Sequence, residues 1–322
     1  MGRLIDISWP SVGITVVAEL ADELNPEMCE EFWRCLPFKV LQAHPVVSGE
    51  SLYAWAPVVS SAPVHVKERI IDCPVGRLRF SQSTGNKFSI QYGKGLEPLY
   101  QPVLGMVLPE YLHLLPKVGK EVWESIFWRK DEIFVHVAPH EAGVVTREGS
   151  ERDDYPTELM RAFIDEANRI QEIEPEDLRA IRLGQVKGTG TFGQYFSAWD
   201  FAQNMLRDYI NYTMYVMLRL ADKQSPQIIS QTIDEIDPPY TTYLGHSGLV
   251  QLEAFAIQMR DAVREAKDAE EVKLILSAFL RYGNRLVAWA YHYFPWHIGL
   301  FYNRPHDGQE LPGRFLQAPI EP

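Results

Sequence analysis

The sequence lacks the features that define several large classes of protein. Its 322 residues include three cysteines and no C-x-x-C pair, so we expect neither a disulfide framework nor a thiolate zinc site. No long run of lysine and arginine offsets the formal net charge of -12, so we expect no nucleic acid and no anionic membrane surface as a partner. No apolar run reaches the length of a membrane span and no signal-peptide pattern opens the chain, which favours a cytoplasmic protein.

Common catalytic and metal-binding motifs are also missing. No G-x-S-x-G elbow occurs. His292 and His297 are separated by five positions with Pro295 between them, so they miss the i, i+4 spacing of a helical ligand pair. His136 and His140 have that spacing but lie on a predicted strand. We therefore expect no metal.

One glycine-rich segment, Gly188–Gly193, reads G-x-G-x-x-G. A dinucleotide site needs an apolar strand before these glycines and further alternating strands and helices after them, and neither is present. We predict a flexible loop at a helix N-terminus, whose backbone N–H groups could receive a carboxylate or a phosphate. We expect no cofactor.

The two halves of the chain differ in hydrophobic period. Residues 1–148 contain many short β-branched runs separated by Gly or Pro, with a short helix from Pro26 to Pro37 capped by Asn25 and another at about Glu110–Trp128. Residues 149–322 follow a helical period after a polar, turn-rich boundary. Helices are predicted over Thr157–Ile173, Glu176–Leu183, Tyr195–Asp222, Pro226–Ile236, Gly248–Lys267 and Ala269–Phe294.

Several segments resemble a known family. In the first half they are SGESLYAWAP and YGKGLEP; in the second they are GTGTFGQYFSAWDFAQNMLRDY, GHSGLVQLEAF and AWAYHYFPWHIG. Together they resemble the cucumopine synthase family and the similar bacterial Pictet–Spenglerases of β-carboline alkaloid pathways. The resemblance implies an α+β fold, with a cyclophilin-like β-barrel over 1–148 and an all-α helical bundle over 149–322.

The same resemblance implies a reaction. An aromatic amino acid such as tryptophan or histidine would condense with an α-keto acid or an aldehyde, without a cofactor, and the resulting iminium would be attacked by the aromatic ring. Such a site needs an acid, a base, groups that bind carboxylates, and aromatic walls. A pocket is expected between barrel and bundle, because ligand sites favour domain junctions.

Candidate residues in the first half surround two turns. Lys94, between two glycines beside Tyr92, is a candidate acid or carboxylate anchor; the alternative is an exposed lysine at a hairpin tip. Tyr92 is a candidate wall of the pocket. His44 and Glu50 flank another turn and are candidates for substrate binding and proton transfer, although His44 would equally suit a structural bond to the backbone.

Candidates in the second half lie near helix ends. Glu253, in an otherwise apolar run, and His292, in the aromatic stretch Tyr282–Arg304, are candidate catalytic bases. His246 is expected just before a helix and next to the substrate. Trp199 and Trp296 are candidate aromatic walls. A structural alternative for Glu253 is an ion pair with an arginine.

Two other functions remain open at this point. The barrel alone would suit a peptidyl-prolyl isomerase, and the whole fold would suit a small-molecule binding protein that releases its ligand unchanged. A homo-oligomer is expected from the aromatic residues Trp123, Phe127 and Trp128, although burial would explain them equally well.

Overall fold

The computed structural model describes residues 2–140, 154–186 and 200–295. The predicted boundary at residue 148 lies outside these residues. The strands are β1 (Leu4–Trp9), β2 (Ile14–Leu20), β3 (Phe38–Leu41), β4 (Gly49–Trp55), β5 (Lys67–Arg69), β6 (Arg77–Ser81), β7 (Lys87–Gly95), β8 (Tyr100–Val107) and β9 (Phe134–Pro139). The helices are α1 (Pro26–Arg34), α2 (Leu115–Glu124), α3 (Glu158–Arg169), α4 (Glu176–Arg182), α5 (Tyr215–Leu220), α6 (Pro226–His246), α7 (Val250–Glu265) and α8 (Ala269–Tyr293).

The strands form one antiparallel sheet in the order β3-β9-β1-β2-β8-β6-β7-β4, with β5 paired to β8. The two outer strands approach each other at one point, where Ala43 and Tyr53 exchange backbone hydrogen bonds of 2.8 and 3.0 Å. A single bridge is not a continuous ladder and does not by itself close the sheet. The coarser prediction, an antiparallel sheet followed by helices, is confirmed, whereas the closed barrel stays a prediction.

One face of the sheet packs against α1 and α2. Alternate residues of each strand point to this face, and together with the two helices they form an apolar core. Phe32 of α1 lies edge-to-face with Phe38, Phe80 and Phe88, with ring centroids 5.8–5.9 Å apart. Helix α1 begins at Pro26 as predicted.

Asn25 does not cap α1 through its side chain, contrary to the prediction. Its amide instead donates to the carbonyls of Val66 and Val103 and accepts the N–H groups of His65 and Val66 at 2.8 and 2.9 Å. These bonds tie the loop before β5 to β8. A buried amide that satisfies four backbone groups at once stabilises the fold more than a bond to a single helix N–H would.

The helices form a second apolar core around α8, whose 25 residues are buried on nearly all sides. The opposite face of β4 joins this core through Tyr53 and Trp55. Arg285 of α8 donates a hydrogen bond to the backbone carbonyl of Trp55. The sheet and the bundle are therefore packed directly on one another along β4.

One helix boundary was predicted wrongly near the prolines of α6. The helix does not end at Ile236; it continues through Pro238 and Pro239 as far as His246, which ends α6 and lies just before α7, as predicted. The two prolines remove two backbone donors, which normally breaks a helix. Buried Asp237, next to the two prolines, accepts from Tyr209 and Thr241 and pairs with Arg260, so tertiary contacts anchor this part of the helix in the bundle.

The aromatic residues after β8 are mostly internal. Trp123 and Phe127 pack inside the sheet with ring centroids 4.3 Å apart, whereas Trp128 is exposed. Burial thus explains two of the three residues on which the expectation of an oligomer rested. The oligomer itself stays a prediction.

The contact between α2 and β7 predicts a sensitive position at Gly119. A Cβ there would lie 2.5 Å from the ring of Tyr92, which is buried and hydrogen-bonded to His44 and cannot move freely. Gly119→Ala is expected to lower the free energy of unfolding by about 1–3 kcal/mol, as overpacking does. Lys117→Ala, exposed on the same helix, should change it by less than about 0.5 kcal/mol. Urea denaturation measures both, and equal stabilities would contradict the packing described.

Candidate active site

A cavity of about 300 Å³ lies between the sheet and the bundle, where the sequence predicted a pocket. Its floor is the face of β4, β6 and β7 that points away from the sheet's own core. Alternating residues of β6 and β7 supply polar side chains there, since Arg79 pairs with Ser89 and Ser81 pairs with Lys87 across the two strands. Tyr53 stands opposite Ser89 on β4. All five of these residues line the cavity.

Arg79 is a buried cation, with 2% of its surface exposed. Its Nη2 donates to Ser51 Oγ at 3.0 Å and to Gln91 Oε1 at 2.8 Å, while its Nε has no hydrogen-bond partner in the described ranges. Burial lowers its pKa. Because both partners are neutral, they leave the positive charge of the guanidinium uncompensated. A carboxylate is the ligand that would compensate it.

Lys87 is the second cation on the floor of the cavity. Its Nζ lies 4.9 Å from the ring centroid of Tyr53 and 5.2 Å from that of Trp55. Burial, reinforced by the charge of Arg207, lowers the pKa of its amine to about 8. The side chain is half-buried and lines the cavity.

The bundle supplies the opposite wall through Arg207, Tyr212 and Tyr291. Arg207 lies between the two wide π-helical segments Phe201–Met205 and Asp208–Met214, a local geometry that is frequent at functional sites. Burial opposes its charge, but Tyr291 and Asp208 outweigh that effect and raise the pKa of its guanidinium. Arg207 is therefore a permanent cation at the wall.

Glu97 is the one carboxylate among the described residues that line the cavity. Ser48 donates a hydrogen bond to its Oε2. Three cationic side chains thus surround the cavity with one carboxylate among them, in a protein whose formal net charge is -12. The local excess of positive charge makes the cavity selective for an anionic ligand.

The sequence-predicted residues of the first half form a group of contacts beside the cavity, not in it. His44 Nδ1 lies 2.6 Å from the carbonyl of Pro45, which can only accept, so Nε2 accepts from the hydroxyl of Tyr92 at 2.7 Å. Burial raises the pKa of Tyr92. Glu50 accepts the backbone N–H of Lys94 at 2.7 Å, and the Lys94 side chain is exposed.

The predicted residues of the second half lie apart from this cavity. Glu253 packs against Gly245, where a Cβ would lie 2.0 Å from its Oε2, and His246 beside it is exposed. His292 is fully buried, and neither ring nitrogen has a hydrogen-bond partner in the part of the chain that the structure describes. Trp199 and Trp296 lie outside the described residues, as does the loop Gly188–Gly193.

The sequence contained a signal for Arg79 and Lys87, which were not predicted as site residues. In the two segments that became β6 and β7, polar and apolar residues alternate: Arg77, Arg79 and Ser81 in one, Lys87, Ser89 and Gln91 in the other. Alternation shows that the polar residues share a face. It does not show whether water or another domain covers that face.

Within the described ranges no three His, Cys, Asp or Glu side chains are grouped so that they could hold a metal ion. In those ranges no helix is both long enough and apolar enough to span a membrane.

Comparison with known proteins gives two informative matches. Residues 157–293 match the family described as the cucumopine synthase C-terminal helical bundle domain. The structure of McbB in complex with tryptophan is similar to this chain, with 27% sequence identity and a TM-score of 0.82; the match covers 93% of this chain and 99% of that chain. No curated protein matches the chain.

A further match is to the solution structure of the hypothetical protein AF2241 from Archaeoglobus fulgidus, at 16% identity. It covers 43% of this chain and 95% of that chain, and its TM-score of 0.32 is too low to support a conclusion.

An antiparallel sheet followed by a helical bundle is thus matched along nearly the whole chain. The family match over residues 157–293 and the similarity to McbB bear out the resemblance to the cucumopine synthase family seen in the sequence.

The buried His292 predicts a loss of stability in mild acid. An ordinary imidazole has a pKa of about 6.5, whereas burial first, and then Lys130 and Arg182 against the opposing charge of Asp131, hold the pKa of His292 at about 4. Between these values the unfolded chain binds the extra proton, so stability falls as the pH falls. His292 should contribute a loss of about 3 kcal/mol between pH 7 and pH 4, at about 1.4 kcal/mol per pKa unit.

His292→Leu should flatten this part of the pH dependence, whereas His113→Gln, at an exposed position, should leave it unchanged. The measurement is the difference in the free energy of unfolding between pH 7 and pH 4 for each protein. A His292→Leu profile parallel to that of the wild type would show that His292 titrates normally in the folded state.

Proposed function

We propose that the cavity between sheet and bundle binds an aromatic amino acid together with an α-keto acid or an aldehyde, and catalyses their Pictet–Spengler condensation without a cofactor. The observation that carries this proposal is the positive charge of the cavity: Arg79, Lys87 and Arg207 face one carboxylate, Glu97. Two carboxylate-bearing substrates would neutralise that excess. The tryptophan bound to McbB, a structure similar over 93% of this chain, supports an aromatic amino acid as one of them.

The cavity offers carboxylate anchors, aromatic walls and a base for the reaction. Arg79 and Arg207 are the carboxylate anchors, since a guanidinium can hold a carboxylate with two parallel hydrogen bonds. Tyr53, Tyr212 and Tyr291 form the aromatic walls. Their faces favour the positive charge of the iminium and position the ring of the amino acid.

Glu97 is the base that removes the ring proton after the new carbon–carbon bond forms. A carboxylate is strong enough for this step, because the attacked ring has become a cation and regains aromaticity when the proton leaves. Ser48 holds the carboxylate in place through its hydroxyl. The ring carbon and Glu97 need only come within hydrogen-bond reach for general base catalysis.

The roles predicted for Lys94, Glu253 and His292 stay predictions. None of the three is among the described residues that line the cavity. Their replacement tests the sequence-based assignment directly, since full turnover after each single substitution would leave Glu97 as the better candidate. The closed barrel, the domain boundary, the homo-oligomer and the cytoplasmic location are likewise proposals.

The reaction can be tested with the purified protein and no added cofactor. Tryptophan or histidine is incubated with 2-oxoglutarate and the products are followed by mass. The expected product has the mass of the two substrates less one water and resists borohydride, because the imine has been consumed by cyclisation. If no amine gives such a product while tryptophan still raises the melting temperature, the chain is a binding protein and the proposal falls.

Glu97→Gln is expected to lower turnover by about 10² to 10⁴-fold, the usual contribution of a general base. The amide keeps the shape of the side chain, so the KM for the amino acid should change little. Glu110→Gln, at an exposed position, is the matched control and should retain wild-type turnover. Loss of affinity with unchanged turnover would instead make Glu97 a binding residue.

A further inference from the structure

Lys87 differs in its polar contacts from three other lysines of this protein. Lys39 pairs with Glu172, Lys130 donates to the carbonyl of Ile126, and Lys273 lies 2.9 Å from Asp222. The amine of Lys87 has no hydrogen-bond or ion-pair partner in residues 2–140, 154–186 and 200–295, and it lines the cavity. A desolvated amine beside another cation is one of the arrangements that turn lysine into a nucleophile.

We propose that Lys87 is a covalent catalyst, whose amine forms a Schiff base with the carbonyl substrate and then passes that carbon to the amine of the amino acid. This inference rests on the proposed function. It assigns to the reaction a step that direct condensation of the two substrates would not need.

The step balances without any oxidant or reductant. The neutral amine of Lys87 attacks the carbonyl carbon, and a proton moves from nitrogen to oxygen to give a carbinolamine. Water leaves with its electron pair, and after uptake of one proton from solvent the Schiff base is a cationic iminium. The amine of the amino acid then attacks the same carbon, a proton passes to Nζ, and the bond to Lys87 breaks, which restores its neutral amine and leaves the iminium of the amino acid.

The surroundings of Lys87 fit each stage. Arg79 lies diagonally across β6 and β7 from Lys87, since their direct partners are Ser89 and Ser81. Diagonal neighbours on one face are about 7–8 Å apart, within reach of long side chains. A carboxylate held by Arg79 would therefore bring the adjacent carbonyl of an α-keto acid to Nζ.

The rings of Tyr53 and Trp55 would then stabilise the cationic Schiff base, because they lie within 5.2 Å of Nζ. The charged groups that face the amine are Arg207, which lowers its pKa, and Glu97, which raises it. Their balance with burial leaves the pKa at about 8, so a useful fraction of the amine is neutral at physiological pH.

Reductive trapping tests the inference without requiring cyclisation. The wild-type protein is incubated with 2-oxoglutarate and sodium cyanoborohydride, without amino acid, and then digested for mass mapping. The expected adduct adds the mass of the keto acid less one oxygen atom, and it lies on Lys87. Its rate of formation should rise with pH through about pH 8 and not near 10.5, the value of an unperturbed lysine.

Two variants complete the test. Lys87→Arg keeps the charge but cannot form a Schiff base, so the adduct should be lost and turnover should fall. Lys117→Arg, at an exposed position, should keep both. Because mapping of the wild-type adduct needs no variant, the result stands even if Lys87→Arg fails to fold. Adding tryptophan to the wild type should lower the amount of adduct while the cyclised product appears.

The outcomes separate this inference from the proposed function. If cyclised product forms but the adduct is spread over exposed lysines, or if Lys87→Arg keeps full turnover, the covalent step is overturned and the proposed reaction stands. If no amine gives a cyclised product but the adduct still lies on Lys87, the proposed reaction falls and the nucleophilic lysine stands. If neither product nor adduct forms, both fall.

Discussion

The burial of cations between a sheet and a helical bundle is the constraint on which this site depends. Among the lining residues that the structure describes, Arg79, Lys87 and Arg207 share one cavity with a single carboxylate, Glu97. Removing charges from water costs several kcal/mol per ion unless partners compensate. Here the partners of Arg79 are neutral, Ser51 and Gln91, so part of that cost persists in the folded chain. An anionic ligand would relieve it, which links the stability of the site to its occupancy.

The two halves of the fold contribute differently to that cavity. The sheet supplies Arg79 and Lys87 on adjacent paired strands, so their separation is fixed by the hydrogen-bond ladder. The bundle supplies Arg207 and Tyr291 from a π-helical region and from α8, which is anchored to β4 by the bond from Arg285 to Trp55.

Much of the fold could be predicted from the sequence, because local patterns determine it. Pro26 starts α1 as predicted, and the side chains of Ser225 and Asp268, residue types that favour helix N-termini, cap α6 and α8. Prediction failed where tertiary contacts override local rules. The helix continues through Pro238 and Pro239, where Asp237 makes buried contacts with other helices that no local pattern encodes.

The site was harder to predict, and β7 shows why. Lys94 was predicted as a site residue because glycines flank it on both sides. Lys87, at the other end of the strand, has no such neighbours and was not predicted. The two lysines are seven positions apart, an odd number, so in a regular strand they point to opposite faces. Lys87 shares its face with Ser89 and lies across from Ser81, which places it with Arg79. The sequence alone predicts which face of the strand Lys87 occupies. Only the packing of the bundle shows that this face is covered. Burial is what changes an ordinary lysine into a reactive one.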